Sequence, residues 1–273
     1  MHRPTIVGVL NVTPDSFSDG GNFLPFAQAL EHAGQMIADG ADVIEVGGES
    51  TRPGAEPVAA ADELARVVPL INAIVKRWPS TTIAVDTVKA EIAEAAVGAG
   101  ASVVNDVSAL RLDPEIATLC AKAGSTLVLM HSRGDVASMA SYNNANYADD
   151  DVIGAVVDEL RIAADKALAA GIERRRIVLD PGLGFSKRPD QSIQALANLP
   201  RLLELGFQVM IGASRKRFIG EITGVLKPSQ RGAGTIGANV AALTLGATWF
   251  RVHDVRENRQ ALDVAATILE ARA

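Results

Sequence analysis

Three hydrogen-bonding side chains directly follow apolar runs of the sequence and could hold one ligand. Asp86, Asn105 and Asp180 end the stretches "IAVD", "VVN" and "IVLD". Carboxylate and amide oxygens accept hydrogen bonds, so three of them on one rim would suit a flat heterocycle with several N–H donors. Each residue taken alone could instead cap a helix or build a turn.

Basic residues form a second group of candidates. "GASRKRFIG" contains Arg215 and Lys216, and "RVHD" contains Arg251 and His253. Together with Arg52 in "STRPGAEP", they predict an anion-binding corner. The alternative for "SRKR" is a basic turn exposed to solvent.

The candidate metal ligands are oxygen atoms. The sequence has no HExxH pattern and one cysteine, and its histidines at positions 2, 32, 131 and 253 lack the spacing of zinc ligands. In "GVLNVTPDSFSDGG", Asn11, Asp15 and Asp19 could give Mg²⁺ one or two ligands while a substrate diphosphate gives others. We interpret His131 as a packed histidine rather than a catalyst.

These residues need a scaffold that brings strand ends together. Several glycines stand where a helical pattern stops and a β-branched run begins, which predicts a repeated unit of helix, turn and strand. The glycines are Gly40, Gly100, Gly124, Gly171, Gly206 and Gly246. Most runs are continuously apolar, as parallel strands covered on both faces are. The predicted strands are Ile6–Val12, Val43–Gly48, Ile83–Thr87, Val103–Val107, Leu127–His131, Ile177–Asp180, Gln208–Ser214 and Trp249–Asp254.

Eight strand and helix pairs within 273 residues predict a (β/α)₈ TIM barrel, an α/β fold whose last helix covers about Glu257–Ala271. A doubly wound open sheet is the alternative. In a barrel the chemistry gathers at the C-terminal ends of the strands, so both groups of candidates would share one mouth. Because no linker divides the chain, residues 1–273 are treated as one domain.

Composition limits the possible partners and location. The chain is 48% hydrophobic, and its net charge of −6 argues against nucleic acid or an anionic membrane as a general partner. We find no signal peptide and no long apolar span, which predicts a cytoplasmic protein. Cys120 lies in an apolar helical pattern and is expected to be a buried structural thiol.

Seven stretches occur in an order that resembles the bacterial dihydropteroate synthases, the folate-pathway enzymes inhibited by sulfonamides. The resemblance runs from about Ile6 to the C-terminus, and the first, second and sixth stretches are highly specific. The stretches are "GVLNVTPDSFSDGG", "VGGESTRPGAEPV", "VDT", "VNDVSAL", "LDPGLGFSK", "GASRKRFIG" and "RVHDV".

The resemblance implies that 7,8-dihydropterin-6-ylmethyl diphosphate and 4-aminobenzoate form 7,8-dihydropteroate and diphosphate through a pterin methyl cation. Lys216, Arg251, His253 and Asn11 would be catalytic. Residues of the pterin site would be Asp86, Asn105, Asp180 and Lys216. Residues of the diphosphate site would be Asn11, Thr51, Arg52, Arg251 and His253. Mg²⁺ would bind Asn11 and Asp19. The aminobenzoate site would contain Phe17, Thr51, Arg52, Pro53, Phe185, Lys216 and Arg217.

The sequence also departs from the family pattern. Ser186 stands where relatives often have Gly or Ala, and Arg217 stands where Ser is frequent; both could border the aminobenzoate site and alter sulfonamide sensitivity. The family also implies a homodimer, for which "NVAALTLGA" and "ALDVAATILEA" in the last two helices are the candidate surface, although barrel packing explains these segments equally well.

Two alternative functions share parts of this pattern. The pterin-binding barrel of methyltetrahydrofolate methyltransferases would share the acids and the amide, but it has no evident use for "STRPG" and "SRK". A catalytically silent pterin binder would be expected to have lost Asn11, Arg52, Lys216 or His253, and all four are present.

Overall fold

Eight parallel strands form the centre of the molecule. The computed structural model describes residues 3–12, 23–50, 57–148 and 151–271. The strands are β1 Thr5–Asn11, β2 Val43–Gly47, β3 Thr82–Asp86, β4 Val103–Asp106, β5 Thr126–Met130, β6 Ile177–Asp180, β7 Gln208–Ile211 and β8 Trp249–Val252.

The sheet closes into a barrel in sequence order. β1 pairs with β2 on one side, with Val7 opposite Val43, and with β8 on the other, with Thr5 opposite Trp249. An open sheet has no such closing pair, so the TIM-barrel prediction is confirmed and the doubly wound alternative is wrong.

The ends of β7 and β8 differ from the predicted strands. β7 ends at Ile211 rather than Ser214, and β8 ends at Val252 rather than Asp254. Beyond β7 the chain turns: Lys216 N donates to Ala213 O, and Arg215 has a left-handed φ of 59°. Ser214 therefore belongs to a turn that begins at Ala213 and not to the strand.

Helices alternate with the strands and cover the outside of the barrel. Within the described residues they are α1 Phe23–Ala38, α2 Ala60–Arg77, α3 Ala90–Gly98, α4 Glu115–Ala123, α5 Val152–Ala169, α6 Pro189–Ala197, α7 Leu199–Leu203, α8 Arg217–Thr223, α9 Gly232–Thr244 and α10 Val255–Glu270. All six predicted helix-terminating glycines have positive φ angles. α10 confirms the predicted last helix, with its start two residues earlier than Glu257.

Side chains inside the barrel form layers because every second residue of a strand faces inward. The floor is an apolar layer of Val7, Val43, Ala84, Val103, Val128, Val178, Met210 and Trp249. Two residues further along their strands stand Glu45, Asp86, Asn105, Asp180 and Arg251. The barrel therefore changes from apolar to charged within one layer, on the side of the mouth.

The main core lies between the barrel and its helices, where aliphatic side chains of both pack together. Cys120 is fully buried in this core, and burial raises the pKa of its thiol to about 12, as expected of a structural cysteine. In the described part of the chain, no helix is both long enough and apolar enough to span a bilayer.

Candidate active site

Asp86 and Asn105 stand side by side at the mouth, on β3 and β4. Arg251 Nη2 donates to Asp86 Oδ2 (2.9 Å), and Asn105 Nδ2 donates to Glu45 Oε2 (2.9 Å). Arg251 Nε also donates to Glu45 Oε1 (2.6 Å). One network thus joins two of the predicted pterin residues to a predicted diphosphate residue.

Asp180, at the end of β6, lies close to the same network. Its Oδ1 accepts from Gly182 N (2.7 Å). A methyl group on Gly212 would lie 3.7 Å from Asp180 Oδ2 and 4.0 Å from the side chain of Arg251, so the missing side chain leaves space between them. The structure therefore brings Asp86, Asn105 and Asp180, here called the acceptor cluster, around Arg251.

Burial perturbs both acids of the acceptor cluster. Burial and the neighbouring charge of Glu45 raise the pKa of Asp86 to about 7, while Arg251 opposes the rise. Burial raises the pKa of Asp180 to about 6, and the hydrogen bond from Gly182 limits the rise. Perturbed carboxylates inside a barrel mouth are typical of a functional site.

Lys216 faces the acceptor cluster from the turn after β7. Its Nζ lies 4.2 Å from the centre of the Phe185 ring. Burial and the positive charge of Arg251 lower the pKa of Lys216 to about 8, although Asp180 and Asp86 favour its charged form. Lys216 and Phe185, both predicted to contact aminobenzoate, are therefore neighbours.

His253 is held as a neutral hydrogen-bond donor. Burial and the charge of Arg251 lower its pKa to about 4. His253 N donates to Ser214 Oγ (3.2 Å), and Ser214 Oγ lies 2.9 Å from His253 Nδ1. When Ser214 donates its hydroxyl hydrogen to Nδ1, the proton of the neutral ring lies on Nε2 and can be donated to a ligand.

Arg215 of the predicted basic corner and Arg217 of the predicted aminobenzoate site bind other residues of the chain. Arg215 forms a two-point ion pair with Asp254, with Nε to Oδ2 at 3.1 Å, and so joins the turn after β7 to that after β8. Arg217 Nη1 donates to the hydroxyl of Tyr142 (2.8 Å), an exposed contact to the segment after β5. Arg215 is thus a structural cation, and Arg217 lies at the edge of the mouth.

Asn11 ends β1 beside Gly47. A methyl group on Gly47 would lie 3.3 Å from Asn11 Oδ1 and 3.6 Å from the Cβ of Asp86, so the amide oxygen lies next to the acceptor cluster. An amide oxygen suits Mg²⁺ as one ligand. In the described segments no three His, Cys, Asp or Glu residues group as metal ligands. Asn11 could thus give such an ion one ligand, and substrate oxygens and water would have to give others.

Glu49, which follows β2, binds residues on the far side of positions 51–56 and on α3's side of the mouth. Glu49 Oε1 accepts from Val58 N (2.7 Å), and Glu49 Oε2 accepts from Lys89 Nζ (3.1 Å). Lys89 also donates to the buried Glu63 (2.6 Å). The predicted site residues Phe17, Asp19, Thr51, Arg52 and Pro53 lie outside the described residues.

The loop after β6, residues 181–188 and here called the sixth loop, contains a buried lysine. Lys187 is 1% exposed, and its Nζ contacts His131 Nδ1 (2.8 Å), Phe185 O (3.1 Å) and Gly182 O (3.3 Å). His131 is buried, its Nε2 lies 3.1 Å from Glu159, and burial lowers its pKa to about 4. These contacts agree with the interpretation of His131 as a packed histidine.

Lys187 makes stability depend on pH. Burial lowers its pKa from 10.5 to about 7, so between these values the unfolded chain binds more protons and the folded state gains stability as pH rises. In Lys187→Met this gain should be absent, so the free energy of unfolding of the wild type should rise relative to the variant from pH 7 to 10. Urea unfolding at several pH values measures it. Lys166→Met, at an exposed site of α5, is the control, and a difference that stays constant with pH would contradict the prediction.

Comparison with known proteins identifies the family. Residues 7–253 match the family described as pterin binding enzyme. A dihydropteroate synthase of Mycobacterium leprae is 42% identical over 272 residues, which cover 97% of this chain and 94% of that protein. The chain belongs to the dihydropteroate synthase family of pterin-binding enzymes. It is thus an enzyme, a transferase of folate synthesis.

Solved structures of the dihydropteroate synthase family share the barrel. The Xanthomonas albilineans synthase with 4-aminobenzoic acid has a TM-score of 0.90 and 43% identity, with 98% of this chain and 93% of that chain covered. The same organism's synthase in complex with 7,8-dihydropteroate has a TM-score of 0.86 and 40% identity, with 98% and 94% covered. The predicted resemblance is confirmed.

Two features of the synthase barrel were missed in the sequence. Glu45 is an acid inside an apolar strand, "VIEVG", and lies two residues before Gly47, the β2 partner of Asp86. Alternate residues of a strand face the same side, so a step of two residues back from the end of β2 would have found Glu45. Lys187 carries no comparable signal, because "SKRP" also suits an exposed turn.

Proposed function

We propose that this chain condenses 7,8-dihydropterin-6-ylmethyl diphosphate with 4-aminobenzoate to give 7,8-dihydropteroate and diphosphate. The observation that carries the proposal is the acceptor cluster next to Lys216, Arg251 and a neutral His253. This arrangement suits a flat ring rich in N–H donors that carries an anionic leaving group. The Xanthomonas relative holds 4-aminobenzoic acid in one structure and 7,8-dihydropteroate in another.

The pterin would lie against the acceptor cluster, whose oxygens accept from its N–H groups. Asp180 has one oxygen bound to Gly182, so the other remains for the ligand. Lys216 would lie over the ring on the side of Phe185. Binding N–H donors favours the ionised carboxylates, which compensates for their burial.

The carbon–oxygen bond to diphosphate would break first. Its electron pair leaves with diphosphate, and a resonance-stabilised pterin methyl cation remains. Arg251 and the Nε2–H of His253 would stabilise the growing negative charge, with Asn11 and the predicted Thr51 and Arg52. Groups fixed in place before charge develops act strongly in a site that excludes water. The carboxylates of the acceptor cluster, Asp86 and Asp180, would stabilise the cation.

Mg²⁺, if bound as proposed by Asn11 and Asp19, would neutralise charge on the diphosphate. The amide oxygen of Asn11 has the chemistry for this and lies beside the acceptor cluster. Arg251 would add a fixed positive charge from the chain itself.

Aminobenzoate would enter against Phe185 and Lys216, with Phe17, Thr51, Arg52 and Pro53 as further predicted contacts. Its amine attacks the methyl cation, a carbon–nitrogen bond forms, and the amine proton is lost to water. The arylamine is already neutral at physiological pH, so positioning suffices and no general base is needed. Arg217, at the edge of the mouth, would attract the carboxylate.

Incubation of the purified protein with both substrates and Mg²⁺ tests the proposal. We expect diphosphate and dihydropteroate in equal amounts, little diphosphate when either substrate is omitted, and a lower rate with a chelator. Binding of the pterin without turnover in a folded sample would contradict the proposal.

Ring-substituted aminobenzoates test the order of bond breaking. If the cation forms in the slow step, turnover at saturation should hardly depend on the basicity of the amine. A steep dependence would instead indicate direct displacement of diphosphate.

A homodimer and a cytoplasmic location stay predictions. Val264 and Ile268 on α10 are 61% and 59% exposed, which supports α10 as the contact surface of the proposed dimer.

A further inference from the structure

Glu45 is a buried acid to which the reaction assigns no role. It is 2% exposed and stands in β2 with apolar neighbours on both sides. Both of its oxygens are used, since Oε2 accepts from Asn105 and Oε1 accepts from Arg251. A carboxylate inside a barrel needs such partners, because an unpaired buried charge is costly.

The bond to Glu45 decides which way the amide of Asn105 points. A carboxylate only accepts hydrogen bonds, so the side that faces Glu45 must be the Nδ2 group. In the opposite orientation two oxygens would face each other. Asn105 is 1% exposed, and among the described residues its Oδ1 has no hydrogen-bond partner. The unpaired oxygen is therefore left for a ligand.

Asp180, on β6, also presents a hydrogen-bond acceptor to the ligand. Asp180 Oδ1 accepts from Gly182 N, and its Oδ2 lies beside Gly212, where no side chain fills the space. Fixed oxygens on β4 and β6 thus face the same region, and both require a hydrogen on the ligand.

We propose that Glu45 is a positioning residue that fixes Asn105 with its oxygen toward the ligand and makes the site select an N–H donor over an acceptor. The inference rests on the proposed function, because it takes a pterin as the ligand. Glu45 itself need not touch the pterin; it acts through Asn105.

Glu45→Gln tests this role with little change of shape. Because Arg251 only donates, the glutamine oxygen should stay on the Arg251 side and its NH₂ group should face Asn105, which favours the reversed orientation of the Asn105 amide. The probes are 6-hydroxymethylpterin and 6-hydroxymethyllumazine, which has a carbonyl oxygen in place of the 2-amino group. We expect the wild type to bind the pterin about 100-fold tighter or more. In Glu45→Gln this ratio should fall about tenfold, by weaker pterin binding and stronger lumazine binding.

Glu159→Gln is the matched control. Glu159 also accepts from an arginine Nε, that of Arg133 at 3.1 Å, but it belongs to the network of His131. Calorimetric titration and thermal unfolding of both variants separate a loss of selectivity from a loss of stability. The control should lower the unfolding temperature and leave the ratio of the two affinities unchanged.

A double-mutant cycle shows whether Glu45 acts through Asn105. Asn105→Ala should lower the ratio by itself, and adding Glu45→Gln should then change it less than about twofold. Independent effects of the two substitutions, or an unchanged ratio in Glu45→Gln, would overturn the inference. If Glu45→Gln does not fold, the wild type alone tests the inference, and equal affinities for the two probes would overturn it.

The binding assay does not depend on turnover. A wild type that selects the pterin but forms no dihydropteroate would contradict the proposed function and leave the role of Glu45 standing. A wild type that binds neither ring would contradict both.

Discussion

Arg251→Met is expected to lower kcat/KM for the dihydropterin diphosphate by about 1,000-fold or more. Arg251 contacts Glu45 and Asp86 and is the fixed cation nearest to the acceptor cluster. Its loss removes charge stabilisation of the leaving group and leaves two acids without a counterion. Breaking such a pair costs about 3–5 kcal/mol of folding free energy. Steady-state kinetics and urea unfolding measure both effects.

Arg259→Met separates activity from stability. Arg259 is 6% exposed and donates to Asp42 (3.1 Å) and to Pro4 O (2.9 Å), beside the start of β1. It is thus a buried arginine paired with an acid at the opposite end of the barrel. This variant should lose stability and retain turnover per folded molecule. Similar turnover in the two variants would contradict the role of Arg251.

Lys216→Met is expected to lower kcat/KM by about 100- to 1,000-fold. Lys216 reaches the acceptor cluster along the Phe185 ring, and methionine keeps an unbranched side chain, one atom shorter, without the charge. With the pKa of Lys216 at about 8, the wild-type rate should fall as pH rises above 8, where the ammonium group loses its proton. This decline should be missing from the pH profile of the variant.

Lys227→Met is the control for Lys216, because Lys227 is an exposed lysine that follows the same strand. It should keep both the wild-type rate and the decline at high pH. Full activity in Lys216→Met would remove Lys216 from the site.

The barrel could be predicted because its signals are local. Continuous apolar runs and the glycines at helix ends depend on residues next to each other in sequence. Closure is not local, since it rests on the pairing of β1 with β8. It could be inferred only from the number of units. The early end of β7 was missed because nothing in "GASRK" shows that a turn already begins at Ala213.

The candidate site could be predicted where a polar residue stands at the end of an apolar strand, as Asp86, Asn105 and Asp180 do. The ion-pair partners of the basic residues could not be predicted, because ion pairs depend on distances between strands that are far apart in the sequence. Arg215 and Lys216 look alike in sequence, yet Asp254 binds the first and the acceptor cluster faces the second. Ser186 is similar: its left-handed φ of 48° and the hydrogen bond from its hydroxyl to Arg133 O (2.9 Å) leave no signal in the sequence.

The apolar floor of the barrel has a consequence for the route of reactants and products. Val7, Met210 and their neighbours leave no passage toward the opposite end. Reactants and products must then enter and leave on the side of the mouth. Under the proposed function, aminobenzoate and diphosphate would therefore pass through the same side of the barrel as the ring that lies deepest.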